Sequence, residues 1–243
     1  MSTRLFVSRA LSNGAVLELQ GEQARYLARV LRARTGETIC VFNAEDGEWT
    51  ATIQSIDKSG VELRIESRNE TATESPLRIH LVQGISRGER MDFVVQKATE
   101  LGVKRISPVF TEYGVVKLDD KRAAKRRGHW QHVSESACEQ CGRTRPPLID
   151  APLPLNHWFG ARDAAGSTQL VLQPGAKTAL VAVDAPRTKL CLLIGPEGGF
   201  SDKEFGDARA AGFQAVSLGP RTLRTETAAL AALAVAQSVW GDI

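Results

Sequence analysis

Two segments near the carboxyl terminus constrain the fold most. The first is Gly195-Pro196-Glu197-Gly198-Gly199-Phe200-Ser201. The second is Leu218-Gly219-Pro220-Arg221-Thr222-Leu223-Arg224-Thr225-Glu226-Thr227-Ala228. An apolar strand-like run leads into each, Leu190 to Ile194 and Ala215 to Leu218, and a helix-like pattern follows each. Glycine-bearing turns at the carboxyl ends of neighbouring strands make the kind of crevice in which open α/β sheets bind ligands. Arg224 and Glu226 bring opposite charges to that crevice, as an enzyme site would need. A phosphate loop is the main competing reading of the first segment, but the Gly-Lys-Ser/Thr ending and the G-x-G-x-x-G order are both missing. A plain tight turn is the other alternative. The pairing of two such segments speaks against it.

From Leu77 onward strands and helices alternate. Ile79–Gln83, Arg105–Phe110, Gln169–Leu172, Leu190–Ile194 and Ala215–Leu218 read as strands. Arg90 to Leu101 reads as an amphipathic helix, with Met91, Val94, Val95, Ala98 and Leu101 on one face and Gly102 as its stop. Further helices are expected over Lys121–Cys141, over Ser201–Ala211 and over Glu226–Trp240. Ser201 with Glu204 three residues later forms a capping box. This alternation predicts a mainly parallel sheet with helices on both faces.

Residues 1–72 have a different texture. Val16–Leu19, Glu37–Phe42, Glu48–Ile53 and Val61–Ile65 read as short strands separated by Asn13-Gly14, Thr35-Gly36, Asp46-Gly47 and Ser59-Gly60 turns. One helix carries Ala24, Leu27, Ala28 and Leu31 at helical spacing. Short strands, tight turns and one helix predict a small β-barrel. The polar stretch 67–76 reads as the linker. The expected domains are therefore 1–72 and 77–243.

Composition narrows the function. Of 243 residues 42% are apolar, so the chain folds rather than staying disordered. No apolar run reaches the ~18 residues of a membrane span. The start has no signal-peptide layout, so a soluble cytoplasmic protein is expected. The four cysteines suit a reducing compartment. Cys138 and Cys141 form a C-x-x-C with no second ligand pair, so no metal is expected. Arg25, Arg29, Arg32 and Arg34 cluster in one short stretch, and Lys121 to Arg127 forms a second basic cluster. Either alone reads as a solvated face; together they favour a polyanion partner.

The two carboxyl-terminal segments closely resemble the paired motifs of the RsmE family, bacterial 16S ribosomal RNA uracil-N3 methyltransferases of the SPOUT trefoil-knot superfamily. Arg29-Val30-Leu31-Arg32, Gln96 to Val103 and Cys138-Glu139-Gln140-Cys141-Gly142-Arg143 fit the same family. The likeness covers essentially the whole chain. It departs at Thr222, where an aliphatic residue is usual.

The resemblance implies a fold and a function. The fold is α/β: a small amino-terminal PUA-like β-barrel, then a SPOUT domain with a deep carboxyl-terminal trefoil knot. The function is S-adenosylmethionine-dependent methylation of N3 of one uridine, position 1498, in the 16S rRNA of the 30S subunit. The family works as a homodimer. Its pattern places the cofactor against Leu172, Ile194, Gly195, Pro196, Glu197, Gly198, Gly199, Leu218, Gly219, Leu223, Arg224 and Thr225.

Uracil N3 carries a proton that must leave, so a base or a stabiliser of the uracil anion is needed. Arg224 is the candidate stabiliser. Glu197 and Glu226 are the candidate bases, and the residues do not choose between them. RNA contacts fall to Arg4, Arg9, Arg25, Arg29 and Arg32, with Glu139, Gln140 and Arg143 added by the resemblance. A catalytically silent RNA-binding assembly factor, or a SPOUT methyltransferase with another RNA target, are the alternatives.

Overall fold

Alternation of apolar and polar residues builds the first sheet. The computed structural model describes residues 3–70, 72–163, 165–184, 186 and 188–243. Five strands, β1 (Arg4–Phe6), β2 (Val16–Leu19), β3 (Thr38–Asn43), β4 (Gly47–Ile56) and β5 (Val61–Asn69), pair in the order β1-β3-β4-β5-β2. All pairings are antiparallel except β1 with β3. Leu17 and Leu19 from β2, Ile39 and Val41 from β3, Ala51 and Ile53 from β4, and Val61, Leu63 and Ile65 from β5 fill one core. These residues recur every second position, as one face of a pleated strand requires.

The expected helix of this region is shorter than its pattern suggests. Helix α1 spans Gly21–Arg25 and then widens into a π-helical turn over Tyr26–Val30. The Leu31 N–H reaches back five residues to the Tyr26 carbonyl at 3.0 Å. The wider turn rotates Leu31 off the apolar face, so Ala24 and Leu27 are buried while Leu31 is exposed. The expected linker also shrinks. β5 continues through Ser67, Arg68 and Asn69, which pair with Thr50, Trp49 and Glu48.

The second sheet has the order β12-β10-β11-β6-β7-β8, all parallel, with a short strand β9 beside β7. Its strands are β6 (Arg78–Gly84), β7 (Arg105–Phe110), β8 (Leu148–Ile149), β9 (Leu153–Pro154), β10 (Ser167–Leu172), β11 (Lys189–Ile194) and β12 (Gln214–Val216). The helices are α2 (Arg90–Glu100), α3 (Asp120–Cys141), α4 (Leu155–Ala161), α5 (Asp202–Ala210) and α6 (Thr225–Trp240).

Central strand β11 is buried nearly throughout, as a parallel strand covered on both faces must be. Leu190, Leu192 and Ile194 join Met91, Val94, Val95 and Ala98 of α2 and Ala229, Ala232, Leu233 and Ala236 of α6 in one core. Cys191 and Leu193 point the other way, to Trp158 of α4, Ala208 of α5, Phe200 and Phe213. Alanine dominates the buried face of α6, which lets α2 pack closely on it. Ser201 caps α5 in a complete capping box with Glu204, as its spacing predicts.

Contacts divide the chain into two compact units, Met1–Glu74 with Cys138–Arg145, and Ser75–Ala137 with Pro146–Ile243. The two turns expected on adjacent strands lie on β11 and β12, with β10 between them. Periodicity reveals strands and not their lateral order. The crevice therefore spans three strands, and the end of β10 becomes its floor.

Candidate active site

Three segments distant in sequence meet at the carboxyl ends of β10, β11 and β12. They are Leu172–Pro174, the turn from Ile194 to Phe200, and the stretch Val216–Ala228. Together with Arg90 and Phe205 they line a cavity of about 620 Å³. That lies within the roughly 300–1,000 Å³ typical of small-molecule sites. Leu172, Ile194, Leu218 and Leu223 supply apolar wall. The walls are tied by backbone hydrogen bonds. The Gln173 N–H donates to the Val216 carbonyl at 2.9 Å. Ser217 donates to Thr178 at 2.9 Å, and Leu180 donates back to Ser217 at 3.0 Å.

A buried polar latch joins two of these segments. Gln83, at the end of β6, is 0% exposed. Its Nε2 donates to the Gly84 carbonyl at 3.0 Å and to Thr225 Oγ1 at 3.0 Å, with the Gly195 carbonyl at 3.4 Å. Thr225 Oγ1 donates to the same Gly195 carbonyl at 2.6 Å. Gln83 thus holds the first residue of α6 against the turn that follows β11. In sequence Gln83 reads as plain strand. A glutamine directly after buried Leu81 and Val82 is its one signal.

Glycine requirements here are specific. A Cβ on Gly84 would crowd Pro196, 2.5 Å from its nitrogen, and lie 3.0 Å from the Gly195 carbonyl carbon. Gly199 and Gly219 adopt φ of +71° and +98°, with open space where a side chain would project. Such φ values favour glycine. Gly198 does not line the cavity. A Cβ there would meet the Tyr113 Cβ and carbonyl oxygen, each at 2.8 Å. Its small size admits backbone from the Tyr113 segment.

The other eleven residues expected around the cofactor, Leu172, Ile194, Gly195, Pro196, Glu197, Gly199, Leu218, Gly219, Leu223, Arg224 and Thr225, all line the cavity, and so does Glu226. Arg224 sits at the N-cap of α6 and is exposed. Its guanidinium makes no ion pair among the described residues. The nearest cation to Glu226 is instead Arg90, whose Nε is 3.9 Å from Oε1. Arg90 Nη1 also donates to Glu197 Oε1 at 2.7 Å. Partial burial pushes the Glu197 carboxyl up. Hydrogen bonds from its own N–H, from Arg90 and from the Arg87 N–H outweigh this and hold it below the usual carboxylate range. That Glu197 bond is also the main cause that raises the Arg90 pKa above its ordinary value.

The expected RNA contacts divide. Arg9, Arg25, Arg29, Arg32 and Gln140 are exposed. Arg9 donates to the Glu18 carbonyl at 2.8 Å, and Arg25 to the Gly21 carbonyl at 3.1 Å. Arg4, Glu139 and Arg143 instead make contacts within their own unit; Arg143 is buried, and Arg4 and Glu139 are partly buried. Arg4 pairs with Glu48, lies over the Phe42 ring and donates to the Arg143 carbonyl at 3.0 Å. Glu139 accepts from the Phe6 N–H at 3.0 Å. Arg143 is 2% exposed and pairs with Glu74 at 3.0 Å. Charge alone does not tell a surface arginine from one whose partner lies 69 residues away in sequence.

Cys138 is buried at the end of α3. A hydrogen bond with Cys141, and then burial, push its thiol strongly up, away from the reactive thiolate form. Among the described residues no group of three or more His, Cys, Asp or Glu is placed to hold a metal ion.

Comparison with known proteins fits this architecture. Residues 73–237 match an RNA methyltransferase domain family, and residues 19–66 match an RNA methyltransferase PUA domain. The class is therefore an RNA methyltransferase of two parts. A ribosomal RNA small subunit methyltransferase E from Buchnera aphidicola (subspecies Schizaphis graminum) is 35% identical over 99% of this chain and 97% of its own length. One from Bacillus subtilis is 29% identical over 92% and 90%. Among solved structures, a ribosomal RNA small subunit methyltransferase E from Neisseria gonorrhoeae, bound to S-adenosylmethionine, superposes with a TM-score of 0.93 at 39% identity over the whole of both chains. A Legionella pneumophila methyltransferase holding the same cofactor superposes with 0.93 at 41% identity, again over both whole chains. The chain belongs to the ribosomal RNA small subunit methyltransferase E family.

Proposed function

We propose that this chain binds S-adenosylmethionine in the 620 Å³ cavity and methylates N3 of one uridine of 16S rRNA in the 30S subunit, position 1498 by family resemblance. The observation that carries this is the convergence of both sequence motifs on one cavity in a chain similar to S-adenosylmethionine-bound proteins along its full length. The cavity suits that cofactor: apolar walls from Leu172, Ile194, Leu218 and Leu223 for a flat ring, and main-chain donors and acceptors along the two turns. When bound, the cofactor supplies an electrophilic methyl group.

The protein's own residues do the rest. Arg224, without an ion-pair partner among the described residues, is left to face negative charge developing on the uracil oxygens. Gln83 and Thr225 hold the walls in register. The exposed Arg9, Arg25, Arg29 and Arg32 bind phosphates. A stacked uridine must be flipped out to enter the cavity.

In this reading residues 1–72 form a PUA-like barrel that binds RNA, and residues 77–243 form a SPOUT methyltransferase domain. By the same resemblance the carboxyl-terminal segment threads into a trefoil knot. The protein works in the cytoplasm as a homodimer. Val239, exposed in the last turn of α6, supports a partner there. No described helix is long and apolar enough to cross a membrane.

Deleting the gene and mapping reverse-transcription stops in 16S RNA tests the target, because N3 methylation blocks the pairing edge. Loss of one stop, restored by the wild-type gene, is expected. An unchanged stop pattern refutes the reading. Arg224→Ala should slow single-turnover methylation roughly 10²-fold or more.

A further inference from the structure

Five charged side chains line the cavity: Arg90, Arg221, Arg224, Glu197 and Glu226. The two carboxylates are in opposite states. Glu197 Oε1 accepts from the Arg87 N–H at 3.0 Å and from Arg90 Nη1 at 2.7 Å. It is held by a backbone donor and a guanidinium at once. Glu226 is more enclosed, its side chain 17% exposed against 27% for Glu197. Its Oε1 lies 3.9 Å from Arg90 Nε, and its Oε2 is buried with no hydrogen-bond partner among the described residues.

A buried carboxylate oxygen without a donor is costly and uncommon in a native fold. It is tolerated where a ligand brings the donor. Position 226 also lies in the first turn of α6, where the helix favours a carboxylate.

We propose that Glu226 Oε2 is the acceptor of the uracil N3 proton, and that Arg90 is a positioning residue that engages Glu197 and orients Glu226. This rests on the reading of the cavity as a uridine-N3 methylation site. As the N3–methyl bond forms, the methyl–sulfur bond breaks with its electron pair staying on sulfur. The N3 proton passes to Glu226, which becomes a neutral carboxylic acid and later releases it to solvent. No further reactant is needed. Arg224 is then the cation facing the uracil oxygens, and Glu197 serves as an anchor for Arg90 and the Arg87 backbone.

The test combines cofactor titration by calorimetry with single-turnover methylation of 30S subunits from about pH 5 to about pH 9. Wild type should bind S-adenosylmethionine and show a rate that is flat through neutral pH. Glu226→Gln should bind the cofactor within a few-fold of wild type, methylate roughly 10²–10⁴-fold more slowly at neutral pH, and speed up about tenfold per pH unit as hydroxide replaces the missing base. Glu197→Gln should keep the flat profile. Arg90→Ala should lower the single-turnover rate at neutral pH several-fold while cofactor affinity stays within a few-fold of wild type. Arg90→Lys should restore most of that rate, which a purely structural role would not do. Glu226→Gln with a wild-type rate and profile and intact cofactor binding overturns the assignment alone. So does loss of the flat profile in Glu197→Gln instead. Failure of wild type to bind S-adenosylmethionine overturns the functional reading along with it.

Discussion

Gly84→Ala is the sharpest probe of how the cavity is built. Gly84 ends β6 opposite Val109, and its α-carbon faces the turn after β11. An added methyl would lie 2.5 Å from the Pro196 nitrogen and 3.0 Å from the Gly195 carbonyl carbon, with the Pro196 ring closer still. Comfortable contact is about 3.5–4.0 Å. The turn must therefore retreat by roughly 1 Å, and its neighbours are backbone and a proline ring, which cannot swing aside. Overpacking of this kind costs about 1–3 kcal/mol, and the rigid partners put Gly84 at the upper end. For a chain of this size that lowers Tm by roughly 6–12 °C. The displaced Gly195 carbonyl also anchors Gln83 and Thr225, so the cavity loses its alignment. A 1 Å error in a positioned site can cost on the order of 10²-fold.

Thermal denaturation with S-adenosylmethionine titration measures both effects. Gly199→Ala is the control: φ there is +71° but space is open, so only about 1–2 kcal/mol of backbone strain is expected. If Gly84→Ala melts with wild type and binds the cofactor normally, the close approach of β6 to the turn is not what shapes the cavity.

Gly198→Ala should lower Tm through its clash with Tyr113 and reduce cofactor affinity less than Gly84→Ala does; the reverse ranking in calorimetry would return Gly198 to the ligand's side. Arg143→Ala removes one partner of a buried pair and should cost roughly 3–5 kcal/mol in chemical denaturation, with the salt dependence of RNA binding unchanged. Arg29→Ala and Arg32→Ala together should weaken RNA binding and flatten its slope against salt, read by filter binding at several salt concentrations. His80 has its pKa lowered from 6.5 to about 4 by burial, then by Arg105, against a partial opposing effect of Asp150. The unfolded chain takes up that proton near 6.5 and the folded one not until about 4, so stability is full above about 6.5 and declines on acidification to about 4, by roughly 3 kcal/mol. Denaturation midpoints across that window should show a shallower decline in His80→Gln.

The two motifs were legible because glycine, proline and charge recur at turn spacing after strongly apolar runs. Strands β6, β7 and β11 and helices α2, α5 and α6 were legible for the same reason: burial imposes a period, and the period survives in the sequence. Short elements did not carry one. β1, β8, β9 and α4 span two to seven residues, too few to show periodicity. Lateral order was hidden as well, so the position of β10 between the two motif strands had to come from the fold. Side chains whose role depends on distant partners were the least legible. In sequence Arg4 and Arg143 read as RNA contacts, Gln83 as part of a strand, and Arg90 as the first residue of α2.

The late position of α6 has a consequence for synthesis of the chain. The stretch from Val216 to Ala228 makes one wall of the cavity, and every strand of both sheets precedes its end. During translation both sheets therefore exist before a small molecule has a complete cavity to bind. Ligand binding cannot guide the pairing of those strands, and its stabilisation, which grows with ligand concentration over Kd, arrives only once the start of α6 is in place. A product truncated before Thr225 also lacks the hydroxyl that closes the Gln83 latch. Such a fragment also lacks Glu226 and Ala228 of the cavity lining.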